Sequence, residues 1–170
     1  MRTHVFRATY LTLLAVSLTP ALSQEANEWS CFYPESYVRK VALTTAMPGY
    51  PPDAVQQGIT GLVQAKIAIE SQGKVERIRV DPKTDPSLKK AVVDAVASWT
   101  FKLRPEVMST GRYCMSRLTF KFSLKDGSPQ VELYQPGPAA KDTEHLGYSN
   151  PTMEVRQWNK WEEVQPTKSN

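Results

Sequence analysis

Cysteine and histidine are almost missing from this chain, with two of each in 170 residues. That leaves little material for a metal site, and there is no CxxC pair. His145 is the only histidine outside the N-terminal stretch, and no Ser/His/Asp order surrounds it. Hydrolytic and redox catalysis therefore have no residues to rest on, and the chain reads as a non-enzyme without cofactor or metal. A strong excess of one charge is also lacking. Lys and Arg total 21 against 17 for Asp and Glu, a net charge of +4. Removing Arg2 and Arg7 with an N-terminal signal leaves 19 against 17, or +2. Nucleic-acid binding needs a dense basic face, so this small surplus argues against it. A composition of 41% hydrophobic and 22% charged residues excludes a polytopic membrane protein and a wholly disordered chain.

The first 23 residues have the pattern of an export signal. Arg2, His4 and Arg7 make a positive start, Ala8 to Leu22 are mostly apolar, and Ala21-Leu22-Ser23 offers small residues before a cut at Gln24. The apolar run is shorter than the roughly 20 residues of a spanning helix, so a periplasmic chain beginning at Gln24 is expected. The alternative is an uncleaved inner-membrane anchor facing the periplasm. In an oxidising compartment the even pair Cys31 and Cys114 predicts one disulfide. Two buried free thiols are the other reading.

Residues 24–46 form an N-terminal extension with mixed character and several aromatics. Pro48-Gly49-Tyr50-Pro51-Pro52 is a stiff turn opening a domain, followed by a helical turn from Asp53 to Gln57 that stops at Gly58. Gly61 to Glu70 alternates Val63, Ala65, Ile67 and Ile69 with polar residues, which predicts a strand with one buried face. Ser71-Gln72-Gly73-Lys74 turns the chain into a second strand, Val75 to Val80. Asp85-Pro86 opens a helix whose stripe is Leu88, Ala91, Val92, Ala95, Val96 and Trp99. A third strand, Cys114 to Leu124, ends at Asp126-Gly127. The fold class predicted is α+β, a small three-stranded antiparallel sheet packed against a helix in β-β-α-β order.

Trp99 and Phe101 continue the helix stripe and read as core. Lys89, Lys90, Arg77 and Arg79 read as a solvated face. Residues 128–170 contain five prolines and read as a largely irregular tail, in which only Met153 to Trp161 has the makings of a short element. Trp161 and Trp158 are expected to fold back onto the domain.

Several short motifs occur in one order: Pro48-x-Tyr50-Pro51-x-x-Ala54, Gly58-Ile59-x-Gly61-x-Val63, Gly73-x-Val75, Ala95-x-x-x-Trp99-x-Phe101, and then Pro105. Together, over residues 47–127, they resemble the C-terminal domain of the energy transducer TonB. The resemblance implies a helix-packed antiparallel sheet that grips a peptide of an outer-membrane receptor by adding it as a strand. It implies that the gripping edge is the third strand, Arg117, Leu118, Thr119, Phe120, Lys121 and Phe122. Pro48, Tyr50 and Pro51 would be the domain-opening motif. The implied partner is a periplasmic segment of an outer-membrane receptor or another envelope protein, with a homodimer left open.

The family's long proline-rich spacer has no counterpart here. The 23 residues from Gln24 to Ala46 contain one proline, Pro34. The functional expectation is therefore an exported binding module, with a membrane-anchored energy transducer as the alternative.

Overall fold

The computed structural model describes residues 29–103, 112–134 and 161–166. The expected signal, Trp158 and His145 lie outside them. The described chain is α+β. Its long central strands are β3 (Gly61–Glu70), β4 (Val75–Val80) and β6 (Tyr113–Lys125). β3 lies between β4 and β6 and pairs antiparallel with both. The alternation read in β3 places Val63, Ala65, Ile67 and Ile69 in the core, where they meet Leu118, Phe120 and Phe122 of β6. Ile78 and Val80 close that layer from β4.

The helix over this layer, α3 (Pro86–Val96), begins where an Asp-Pro pair should start one. Asp85 accepts hydrogen bonds from the N–H groups of Ser87 and Leu88, at 2.9 and 3.3 Å. Its buried stripe is Leu88, Val92, Val93 and Val96. Each such side chain contributes roughly 1.5–3 kcal/mol when it leaves water. Trp99, just past the helix, is 1% exposed, stands edge-on to Phe120 and donates its indole N–H to Ala46 at 2.8 Å. Trp99 and Phe101 are core residues.

The sheet is larger than the three strands expected. Among the described residues six strands belong to it, in the order β1 (Trp29–Phe32), β6, β3, β4, β8 (Glu162–Glu163), with β7 (Ser128–Leu133) also paired to β6. β1 comes from the N-terminal extension, and β7 and β8 come from the segment read as irregular. Local pattern missed them because they are short, and β7 begins Ser-Pro. β1 and β8 depend on pairing with a long strand distant in sequence, whereas β7 returns along β6 through the two-residue turn Asp126-Gly127. The extension also contributes α1 (Glu35–Val41) and β2 (Ala42–Thr44), the latter paired with β5 (Thr100–Phe101) in a separate small sheet. A short α2 (Pro52–Gln56) precedes β3.

One glycine is required at a close approach. Gly73 has φ +83°, and a Cβ there would sit 1.9 Å from the carbonyl oxygen of Phe101. The same contact carries a hydrogen bond from the Phe101 N–H to the Gly73 carbonyl at 2.8 Å. The β3–β4 turn is thereby fastened to β5.

Candidate functional site

A strand-adding sheet exposes function at its edges, where backbone N–H and C=O groups lack partners. β6 was the expected edge, and it is an interior strand. Its inner side pairs with β3 from Tyr113 to Phe122. Its outer side is covered by three different pieces of the same chain.

The first cover is β1, which runs parallel to β6 with Cys31 opposite Cys114 and Phe32 opposite Met115. The disulfide Cys31–Cys114 joins these two positions, with Cα atoms 4.6 Å apart and both residues buried. The cysteine pair thus bolts a covering strand onto β6. Tyr33 continues the seal, donating its N–H to Met115 at 2.8 Å and accepting from the Ser116 hydroxyl at 2.9 Å.

The second cover is a side chain. Glu35, at the start of α1, accepts the Thr119 N–H at 2.7 Å and its hydroxyl at 3.1 Å. Its carboxylate takes the place of a neighbouring strand's carbonyl. Arg39, one turn along α1, holds Glu35 at 2.6 Å and donates also to the Tyr134 carbonyl. The third cover is β7, paired antiparallel with Phe120 to Lys125, and Tyr134 extends it by donating to the Thr119 carbonyl at 2.7 Å.

The proposed gripping residues fare accordingly. Leu118, Phe120 and Phe122 are core, Thr119 is 6% exposed, and Lys121 is salt-bridged to Glu132 of β7 at 3.0 Å. Arg117 is half-buried, in register with Lys66. As an open edge, Arg117–Phe122 is corrected by this geometry. Glu35 and Arg39 carried no motif in sequence, because a carboxylate capping a strand 84 residues away has no local signature.

Pro48, Tyr50 and Pro51 gather at the domain's opening. Pro48 is buried, Pro51 precedes α2, and Tyr50 stands edge-on to Phe122 with ring centroids 5.3 Å apart. The Tyr50 hydroxyl donates to the Ile59 carbonyl, and burial raises its phenol above the usual range. These contacts fasten the turn to the sheet.

The other end of the sheet is different. Among the described residues, beyond β4 lies only β8, pairing Glu163 with Arg79 and Glu162 with Val80. Val164 adds one more bond, its N–H to the Ile78 carbonyl at 3.0 Å, and its side chain packs on the core. Three body elements supply cations to this short strand. Arg79 of β4 meets Glu163 at 3.3 Å, and Lys89 of α3 meets Glu162 at 2.8 Å. The Lys66 ammonium of β3 lies 4.0 Å from the Trp161 ring centroid, within cation–π range.

Of the four cations expected on a solvated face, Lys89, Lys90, Arg77 and Arg79, only Lys90, 64% exposed and paired with Asp94, is found there. Arg77 lies over the Tyr113 ring at 4.5 Å. Tyr113 in turn donates to Glu76 at 2.9 Å, and burial first, then that bond, push its phenol up.

Residues 46–124 match the family described as the Gram-negative bacterial TonB protein C-terminal. They form a TonB C-terminal domain. Among curated proteins and solved structures, none matches the chain. TonB C-terminal domains are periplasmic, non-enzymatic modules that interact with envelope proteins such as outer-membrane receptors. The match begins at Ala46 and ends inside β6, so β1, α1 and β7, the pieces that seal β6, lie outside it, as does β8. Among the described residues no helix is long and apolar enough to cross a membrane.

Proposed function

We propose that this chain is an exported, periplasmic protein-binding module that engages envelope partners by accepting one of their extended segments as an added strand. The observation that carries it is β8. A remote piece of the chain is already added to the TonB C-terminal-type sheet as a strand, by β4 pairing and the Val164–Ile78 bond. Backbone bonds give such additions their affinity, while side chains beside the edge choose the sequence. The partner class is a periplasmic segment of an outer-membrane receptor or another envelope protein, and no cofactor is involved.

The test is in-cell photo-crosslinking from Gln130 on β7 and from Gln165 beside β8, with mass spectrometry of the captured segment. An extended periplasmic segment of an envelope protein is the expected product. Capture of nothing from either position by the correctly folded chain would remove the binding-module reading. Sequencing the exported N-terminus distinguishes a free module, beginning at Gln24, from an anchored transducer.

A further inference from the structure

We propose that the outer edge of β4 is a peptide-docking site for a partner segment of the pattern aromatic–acidic–acidic–aliphatic, and that Trp161–Val164 is a tethered occupant which that segment displaces. The inference rests on the strand-addition reading and assigns its edge and its ligand chemistry.

The cations at this edge belong to the body of the domain. The side chains of Arg79 and Lys89 are only 16% and 14% exposed, while their partners Glu163 and Glu162 are 33% and 57% exposed. Arg79, Lys66 and Arg117 also lie directly opposite one another on three neighbouring strands. Like charges so placed repel, and an acidic, aromatic strand laid at the end of the row relieves them. The site therefore has a chemical preference set by residues that do not come from the occupant.

The occupant fills the edge incompletely. Its strand covers Arg79 and Val80, with one further bond at Ile78. At the far end of the edge, Lys74 is bridged to Thr100. Between Lys74 and Ile78 no strand lies against β4 among the described residues. Because β8 runs antiparallel, residues after Val164 head toward that stretch. Pro166 lies two residues on and has no N–H with which to continue the ladder. A partner with an ordinary residue there gains bonds that the chain's own segment cannot make. The segment is also joined to the domain through 26 residues, Gln135 to Lys160. Tethering raises its effective concentration, so a short contact can hold the edge until a longer strand competes.

The experiment uses full-length chains and a fluorescent peptide with the sequence of residues 157–165 (QWNKWEEVQ). Binding is compared between the unaltered chain and two release variants, Val164→Pro and the double substitution Glu162→Lys with Glu163→Lys. Circular dichroism establishes that each is folded. Both variants are expected to bind the peptide at least tenfold more tightly than the unaltered chain. Hydrogen exchange should then show new protection over residues 76–80, and a peptide with both acids changed to Lys should not bind.

Equal binding by released and unaltered chains, or protection outside β4, overturns the assignment. So does a concentration-dependent dimer of the unaltered chain that buries this edge, which would make a second copy the occupant. If crosslinking from Gln130 captures an envelope segment while the peptide fails, the strand-addition reading stands and the β4 assignment falls.

Discussion

The Glu35 carboxylate accepts the backbone N–H of Thr119 at 2.7 Å, closing the outer side of β6 at a point where neither β1 nor β7 pairs with it. A side chain here completes a backbone ladder, so its loss strands a donor that is shielded from water. Glu35→Ala is expected to cost about 1–3 kcal/mol, measured by urea unfolding. Glu35→Gln keeps an acceptor oxygen and should cost less. Amide exchange at Thr119 should quicken in the Ala variant; an unchanged rate would mean that the carboxylate does not seal the strand.

The disulfide closes a loop of 83 residues and holds β1 against β6. Replacing both Cys31 and Cys114 with Ser should lower stability by about 4 kcal/mol on the chain-entropy account. The denatured, unreduced chain should show no titratable thiol, since both cysteines are bridged. Exchange protection should drop first over β1 and its partners Tyr113 to Met115. Uniform loss across all strands would place the bridge's effect in the unfolded chain alone.

Gly73→Ala tests the junction of the β3–β4 turn with β5. The added Cβ meets backbone, at 1.9 Å from the Phe101 oxygen, and the residue keeps a positive φ. Strain alone is about 1–2 kcal/mol, and moving two backbones apart adds to it. A loss above about 2 kcal/mol in denaturant unfolding is expected. A variant as stable as the parent would show that the turn can move freely from β5.

Asp85 gives a pH dependence whose sign follows from its partners. The Ser87 hydroxyl bond is the largest influence, and together with the backbone N–H bonds it holds the Asp85 carboxyl below its ordinary value despite some burial. A depressed folded-state value means stability that is present above the unfolded value of about 3.9 and lost as pH falls through the folded one. Asp85→Ala should therefore cost about 1 kcal/mol near neutrality. The gap between variant and parent should narrow below about pH 4. Unfolding curves at pH 7 and pH 3 measure it; a gap that is constant with pH would show that the charge contributes nothing to the cap.

The central elements are legible in the sequence. Gly61–Glu70 and Val75–Val80 carry their own alternation, and Asp85-Pro86 announces a helix with its stripe. These signals are local, because a strand half-buried on one face and a helix buried along one stripe must each repeat apolar residues at its own period. Cys31 and Cys114 were legible through compartment and parity, and the structure joins them.

The edges were not legible. Thr119 and Lys121 have the polar alternation of an exposed strand, yet Glu35 covers one and Glu132 pairs with the other. Lys66 stands at a polar position of the β3 alternation, yet it is 5% exposed and lies against Trp161.

By itself the sequence determined a TonB C-terminal-type core, since hydrophobic period, turn glycines and capping residues are each read within a few positions of themselves. Which strand of that core is closed and which is held by so slight a strand was decided only in three dimensions. The reason is physical: β1, α1 and β8 are too short to specify themselves, and each takes its place from a backbone or charged partner contributed by a distant part of the chain, while β7 is placed by the Asp126-Gly127 hairpin, a local turn that served equally well as an end signal.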